Sequence, residues 1–479
     1  MTELHLPWLE AAVLVSFLGA CCVSRYRDTE LGRWWCVLIS AVTLALTLGA
    51  FVDFVLLDVS AAVDRWQFAA RWLGRDIFVI DQLSAPLLPW AALLYFLTIV
   101  TTVRTKMRRF SLASKLLSES LVLATFCCRD PWTLIGLMTA STVPPMVDFF
   151  VRGKPTRVLA LHMALFVSLM IVGQTLVDRA ESGHRLHAVW GILPMFGAVL
   201  VRCGVAPFHG WMIDLFEHAT LGAALLFVTP MTGVYLAVRL ILPIAPDWVL
   251  LSIGLIAIIT AIHAAGMALV QREARRFFCY LFLSQSALVL VGSELTTPIG
   301  LTGALCMWLS VGLALGGLGL TLRALEARRG RLSMVHFQGL YEHTPNLAMC
   351  FALTGLASVG FPGTFGFIGS ELLVDGAVDM YPLFGIAMVL AGALNGIAVV
   401  QAYFKIFTGT RHSSSVSLRI SIRERYAVLG LAALIFLGGI FPQPTIVSRH
   451  RAAEELLHKR EALARRINAD VRTVFLPVH

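Results

Sequence analysis

An all-α polytopic membrane protein is the fold class this sequence predicts, and three observations predict it. The chain of 479 residues is 58% hydrophobic. Only 14% of it is charged, against about 25% in an average soluble protein. Apolar runs of roughly 17–25 residues recur along its whole length, and one such run crosses a hydrocarbon core of about 30 Å. No soluble domain is expected, because the longest polar segments are short connections and the tail from Arg449. The N-terminus, MTELHLPWLEAAVLV, lacks the basic start and small-residue cleavage site of a signal peptide, so no leader is expected.

Taken in order, the apolar runs place spans at 7–23, 35–57, 80–103, 112–128, 131–151, 157–177, 188–206, 218–242, 247–270, 277–293, 299–322, 347–368, 382–408 and 426–446. That makes about fourteen crossings, with splits allowed at prolines. Basic residues alternate between the connections. The odd ones hold Arg25, Arg27 and Arg33; Arg104, Lys106, Arg108, Arg109 and Lys115; Arg152, Lys154 and Arg157; Arg272, Arg275 and Arg276; Arg323, Arg328, Arg329 and Arg331; and Lys405, Arg411, Arg419, Arg423 and Arg425. The even ones are poorer, with Arg129 and Arg239 among them. Positive residues favour the cytoplasm, so odd connections are expected inside and both termini outside the inner (cytoplasmic) membrane. The net charge of +9 is then a topology signal and not a footprint for nucleic acid.

Several function classes drop out. The nine cysteines lie mostly within spans, and none has the spacing of a zinc or iron–sulfur site. No metal and no cofactor is expected. Phosphate-binding loops, dinucleotide fingerprints and nucleophile elbows are absent, so a catalytic site of the chain's own is not expected. The RRGR run at 328–331 reads as a loop charge cluster, and the tail as a solvated or interfacial helix of mixed charge.

The informative stretch is VRCGVAPFHGWMIDLFEHAT at 201–220. Pro207 must break or bend a spanning helix, and such breaks persist in a bilayer only where they are buried in protein or face water. Arg202 at mid-span is expensive, at least ~2.5–3.5 kcal/mol on insertion scales, and should face an interior partner or cavity. Snorkelling to an interface is the alternative. A second break, GFPGTFGFIGSELLVDG at 360–376, again sets a proline, Pro362, beside glycines including Gly363, with Glu371 following. Paired interruptions in two halves mark a transporter built from repeats, with its path at the membrane midplane.

On these residues the chain resembles the antiporter-like membrane subunits of respiratory complex I and of multisubunit cation/proton antiporters, subunit M above all. The likeness rests on VAPFHGWMIDLFEHAT at 205–220, MTGVYLAVRL at 231–240, ALVQREARRFFCYLFLSQSAL at 268–288, GLASVGFPGTFGFIG at 355–369 and GGIFPQPTI at 438–446, with an Asp-x-Leu-Ser motif at Asp81 to Ser84. The resemblance implies fourteen helices with two inverted five-helix repeats, each containing a Pro-broken helix. It implies helices 1–3 in 1–110, a first repeat in 111–245, a second in 246–410, a last transmembrane helix in 411–448 and a polar helical tail in 449–479. It further implies protons or sodium ions as cargo, other membrane subunits and the lipid bilayer as partners, and a chain of protonatable residues along the membrane centre.

Carried over position by position, most of that chain is missing. The seventh-helix lysine of the family falls on Arg202, which cannot release a proton as a tuned lysine does. The fifth-helix glutamate falls on Thr139, the eighth-helix lysine on Met231, a later histidine near Ser310, and the glutamate after the second break on Ser370. Glu371 is one place along, about 100° around a helix. What remains ionisable within spans is Glu119, His263, and, less centrally, His162 and Asp53; Asn395 is polar but does not titrate. His209, Asp214 and Glu217 follow the first break and are expected to pin it. Glu119 and His263 each have a bland alternative, an interfacial acid and a hydrogen-bonded core histidine. The expectation is a proton-conducting or antiporter-like subunit of a complex-I-type NADH-quinone oxidoreductase assembly with an altered or impaired path. The alternatives are a structural subunit that does not pump and the membrane partner of a non-redox assembly such as an inorganic-carbon accumulation system. Arg202 is expected to be a fixed interior charge paired with an acid such as Glu119, or with water at the break.

Overall fold

The computed structural model describes residues 2–26, 29–67, 71, 77–102, 111–181, 186–409 and 422–475. Of the topogenic residues named above, Arg27, Arg104, Lys106, Arg108, Arg109, Arg411 and Arg419 lie outside them. The helices are α1 (Trp8–Arg25), α2 (Thr29–Leu57), α3 (Leu87–Val100), α4 (Leu112–Cys127), α5 (Pro131–Ser141), α6 (Val143–Val151), α7 (Arg157–Glu181), α8 (Leu186–Cys203), α9 (Gly210–His218), α10 (Leu221–Val228) and α11 (Thr232–Leu236), the last running into a π-turn at Ala237–Ile241. They continue as α12 (Asp247–Val270), α13 (Ala274–Ser293), α14 (Pro298–Arg329), α15 (Pro345–Ser358), α16 (Phe365–Met380), α17 (Pro382–Phe407), α18 (Ile422–Ile440) and α19 (Gln443–Phe475). Among the described residues, nine helical segments are long and apolar enough to cross a membrane, and a tenth is made by α18 and α19, bent by 79° at their junction.

The other expected spans have physical reasons for being short. The span expected at 80–103 begins as strand, because Asp81 and Ser84 close a turn on each other: the Asp81 amide donates to Ser84 Oγ at 3.1 Å and the Ser84 amide to Asp81 Oδ1 at 3.0 Å. Its helix therefore starts only at Leu87. The spans expected at 188–206 and 347–368 are ended by their glycine- and proline-bearing breaks. The run at 112–128 forms α4, whose sixteen residues leave it too short for that set.

Three short strands, β1 (Thr2–Glu3), β2 (Ala61–Val63) and β3 (Val79–Asp81), form a small sheet in the order β1-β2-β3, with β1 and β2 parallel and β2 and β3 antiparallel. It marks one face of the bundle. Beneath it Asp64 accepts from the amides of Leu9 and Glu10 and caps α1 from a distance; burial pushes its carboxyl up to about 6. Next to the sheet, Asp81 and Arg239 form a buried two-point ion pair, with Arg239 also donating to the Tyr235 hydroxyl at 3.0 Å.

The tail, expected as a solvated or interfacial helix, is packed against the bundle. α19 lies across the same face as the sheet, with Ala452, Ala453 and Leu456 buried. Arg449, 1% exposed, donates to the carbonyls of Gln82 and Leu83, and Arg460 donates to those of Leu242 and Ala245 and to Asp247. The cause is legible: each arginine meets carbonyls left open at a turn or helix end. The two terminal elements thus share one face. The ends of α13 and α14, helices long enough to cross a membrane, put Arg275 and Arg328 on the other, where they pair with Glu326 and Glu424. The face of the termini also holds Arg65 and Arg71, in the connection after β2, and the tail's own arginines. The contrast in basic charge between the faces is therefore smaller than the odd connections alone imply.

Two faces so defined make an accessible test. In a background without native cysteines, a cysteine replacing exposed Glu3 is expected to react with an impermeant thiol reagent added outside intact cells, and one replacing exposed Val335 only after lysis. Equal labelling of both before lysis would contradict the orientation.

Candidate functional site

The first break is built from the end of α8. Gly204, in left-handed backbone at φ +68°, reverses the chain, and its amide and that of Val205 close back onto Val201 and Leu200. The next peptide, Ala206–Pro207, is cis. The Ala206 amide, which has no helical partner here, donates to Thr260 Oγ1 at 3.1 Å on α12. Trp211 donates its indole N–H to the Val201 carbonyl at 2.8 Å. A polar break inside a bilayer needs such internal partners, and Thr260 and Trp211 supply them.

Arg202 stands in the last turn of α8, 5% exposed. Its guanidinium donates to Thr232 Oγ1 at 2.8 Å and lies over the rings of Phe227, 4.4 Å from the centroid, and Trp211, at 5.8 Å. Its Nε has no partner. The C-terminal end of α8 offers a further favourable dipole to this cation. No carboxylate among the described residues forms an ion pair with it. Glu119 is fully buried on α4, but its Oε1 accepts from Ser40 Oγ at 3.1 Å and its Oε2 is unpartnered. The expected Arg202–Glu119 pair is therefore replaced by hydroxyl and ring contacts.

Three small cavities with room for only one or a few water molecules run from this point across the bundle. The first is lined by Tyr95, Lys115, Ser118, Ser141, Arg202 and Thr232 among others. The second, which shares Arg202 and Thr232 with it, adds Cys203, Met231 and Ser286. The third lies on another side of α13, where Gln285 precedes Ser286; it is lined by Gln285, Ser310, Ser358, Gly360 and Ser370. A larger open cleft at the arginine-rich face carries Arg152, Glu217, His218, Arg275, Arg323 and Glu424.

Of the five positions on which the resemblance puts the family's carriers, Arg202, Met231, Ser310 and Ser370 line these cavities. Thr139 lines none; its hydroxyl donates to the Ile135 carbonyl, and Ser141, two residues on, takes its place at the first cavity. Glu371 is exposed while its neighbour Ser370 faces the third cavity, so the one-residue shift removes the carboxylate from the path. His263 is likewise exposed on α12, its ring 6.0 Å from that of half-buried His209, and neither lines a cavity. Asp53 is an anchor at the face of the termini, accepting from the His5 amide and ring and from the Trp8 indole. His162 is half-buried, with its ring nitrogen on the Val158 carbonyl. Asp214 pairs with His218 within α9, and Glu217 pairs with Arg276 of α13. Asn395, fully buried, donates to Ser284 Oγ at 2.8 Å, which in turn donates to the Ala261 carbonyl. Around the second break, Gly360 and Gly363 adopt left-handed backbone, at φ +76° and +87°, on either side of Phe361 and Pro362.

Sequence reasoning missed two features. A third interruption divides the span expected at 218–242 at Thr229–Met231, with Met231 itself at φ +48°; Pro230 was its signal. Lys115, counted above among loop charges, is instead inside α4 and 3% exposed. Ser111, whose Oγ accepts from the Ser114 amide, caps α4 ahead of it, and that serine was the available sign.

Residues 157–395, about half of the chain, match the family described as NADH:quinone oxidoreductase/Mrp antiporter, TM. The chain is 26% identical to NADH-quinone oxidoreductase subunit M of Pseudomonas aeruginosa, covering 92% of this chain and 95% of that one. It is 27% identical to subunit 13 of the same enzyme from Thermus thermophilus, covering 78% and 88%, and 23% identical to F(420)H(2) dehydrogenase subunit M of Methanosarcina mazei, covering 92% and 96%. In fold it is similar to a chain of Thermus thermophilus respiratory complex I (TM-score 0.80, 24% identity, covering 94% and 99%) and to one of the Mrp complex from Dietzia (0.80, 18%, covering 95% and 99%).

The environment of Arg202 sets the sign of a stability change. Removing one member of a buried ion pair costs about 3–5 kcal/mol, whereas relieving a buried charge that leaves no ionic partner behind is often neutral or stabilising. Arg202→Met is expected to leave the melting temperature of the purified chain in detergent unchanged or raised. A large fall would mean that a carboxylate does pair with Arg202.

Proposed function

We propose a function for this chain from one premise: it is a divergent member of the antiporter-like membrane-subunit family of NADH:quinone oxidoreductases and Mrp antiporters. It is a subunit of a larger assembly in the inner, cytoplasmic membrane, packed against other membrane subunits, and its proton path is altered so that it conducts poorly alone. Fourteen crossings, with inverted repeats at 111–245 and 246–410, are part of this reading. They are supported by the interruptions at Pro207 and Pro362 and by the expectation that the shorter apolar helices complete spans. Both termini belong to the outer side.

The single observation that carries the reading is the lining of the cavities. The water-sized spaces at the family's carrier positions are in place, but Arg202, Met231, Ser310 and Ser370 stand there. Hydroxyl groups can hold water in line, whereas a fixed cation repels a passing proton. An unsolvated charge at the membrane centre costs several kcal/mol. A second reading, a structural subunit that holds its neighbours without pumping, is favoured by the same loss of titratable groups. The relatives named above belong to a NADH-quinone oxidoreductase and an F(420)H(2) dehydrogenase. A redox-driven assembly of that kind is the one proposed here, in preference to a non-redox assembly such as an inorganic-carbon system.

Reconstitution tests the reading. The purified chain in liposomes with an internal pH dye is expected to show little proton or sodium flux under an imposed gradient. Thr139→Glu with Met231→Lys is expected to raise proton flux at least about a hundredfold, the lower end of what a positioned acid–base group contributes. Robust flux through the unmodified chain that survives loss of Arg202 would overturn the altered-path reading.

A further inference from the structure

We infer that Lys115 is the proton-accepting group at the inner end of this path, so that two residues divide what one lysine does in the family: Lys115 exchanges the proton and Arg202 keeps a fixed charge. The inference rests on the conducting reading above. Lys115 lines one space and is acted on electrostatically by two arginines that line another. The latter is the cleft of the arginine-rich face, to which Arg152 and Arg323 belong. The former is the first cavity, which Lys115 itself lines together with Arg202, Tyr95, Ser118, Ser141 and Thr232.

It is also enclosed, at 3% exposure, in a helix that carries no other base. The charged and titratable groups near it come from several elements. Asp148, Arg152 and Arg323 act on it electrostatically from α6, its C-cap and α14. Arg202 and Tyr95 share its cavity from α8 and α3, and Glu119 is one turn along on its own helix. Asp148 is itself bound by Arg152. Arginine holds its proton at any pH a membrane meets, whereas lysine can release one. Among the basic groups at the first cavity, Lys115 alone can therefore cycle.

The step balances simply. A hydronium ion in the cleft gives its proton to the neutral Lys115 amine, an N–H bond forming as an O–H bond breaks, and water is left. The ammonium then returns the proton to a water in the first cavity, which Ser118 and Ser141 also line.

The test uses the full-length chain in liposomes, in the Thr139→Glu/Met231→Lys background. Lys115→Arg keeps a long cation in place but cannot cycle; Lys115→Gln removes the charge; Lys115→His can cycle again. Each variant is first checked for an unchanged melting profile and gel-filtration position. Arginine and glutamine are each expected to lower proton flux at least about tenfold, and histidine to restore it with a flux–pH profile moved toward acid. Flux through the arginine variant equal to that of its parent would overturn the inference and leave only a structural charge. No flux from the parent background, by contrast, would remove the conducting reading itself, and the inference with it.

Discussion

A guanidinium buried at a helix break, with hydroxyl and ring contacts where a carboxylate would be expected, is the constraint on which the rest of this structure turns. Taking a cation out of water costs several kcal/mol even after relaxation. Here the offsets are one hydrogen bond to Thr232, the faces of Phe227 and Trp211, and the open carbonyl end of α8. A desolvated cation–π contact contributes about 2 kcal/mol, and a charge at a helix end up to about 2 more. The sum is of the order of the cost, so Arg202 can remain charged without an acid. That frees Glu119 to lie elsewhere, on Ser40, and it requires the surrounding chain to stay broken. α8 must end at Gly204 so that its carbonyls face the cation, and α10 must stop at Thr229 so that Thr232 can reach it.

The second half solves a different problem with small residues. α14 and α16 cross so closely that a Cβ on Gly303 would lie 2.3 Å from the Leu373 nitrogen, and one on Gly366 would lie 2.8 Å from Ser310 Oγ. Such backbone-to-backbone approach is how helices associate where lipid offers no hydrophobic drive. It brings Ser310 to the second break and leaves a cavity with hydroxyls and the Gln285 amide but no ionisable lining. The cavities near the two breaks therefore differ in chemistry, with a fixed charge at one and neutral dipoles at the other.

Much of this was legible in the sequence, because hydrophobic length and proline act locally. Apolar runs gave the bundle, Pro207 and Pro362 gave two breaks, and the shift from Ser370 to Glu371 gave the loss of a carboxylate, since one residue turns a side chain by about 100°. What was not legible depends on tertiary position. Lys115 reads as a loop charge, because it follows a basic cluster and only the start of α4 at Leu112 draws it inside. His263 reads as central because it is mid-helix, yet which side of α12 faces the bundle is set by α13 and α17 and not by α12's own nearly uniform apolarity. The tail reads as solvated or interfacial from its charges; that its arginines are held by carbonyls at the ends of distant elements is something no local pattern announces.

The most direct measurement is a high-resolution structure of the chain within its native membrane assembly, with side chains and waters resolved around Arg202. The account predicts the guanidinium on Thr232 and over Phe227, with ordered water in the cavities on both sides and no carboxylate in contact. A carboxylate within salt-bridge distance of Arg202, from Glu119 or from a neighbouring subunit, would contradict it.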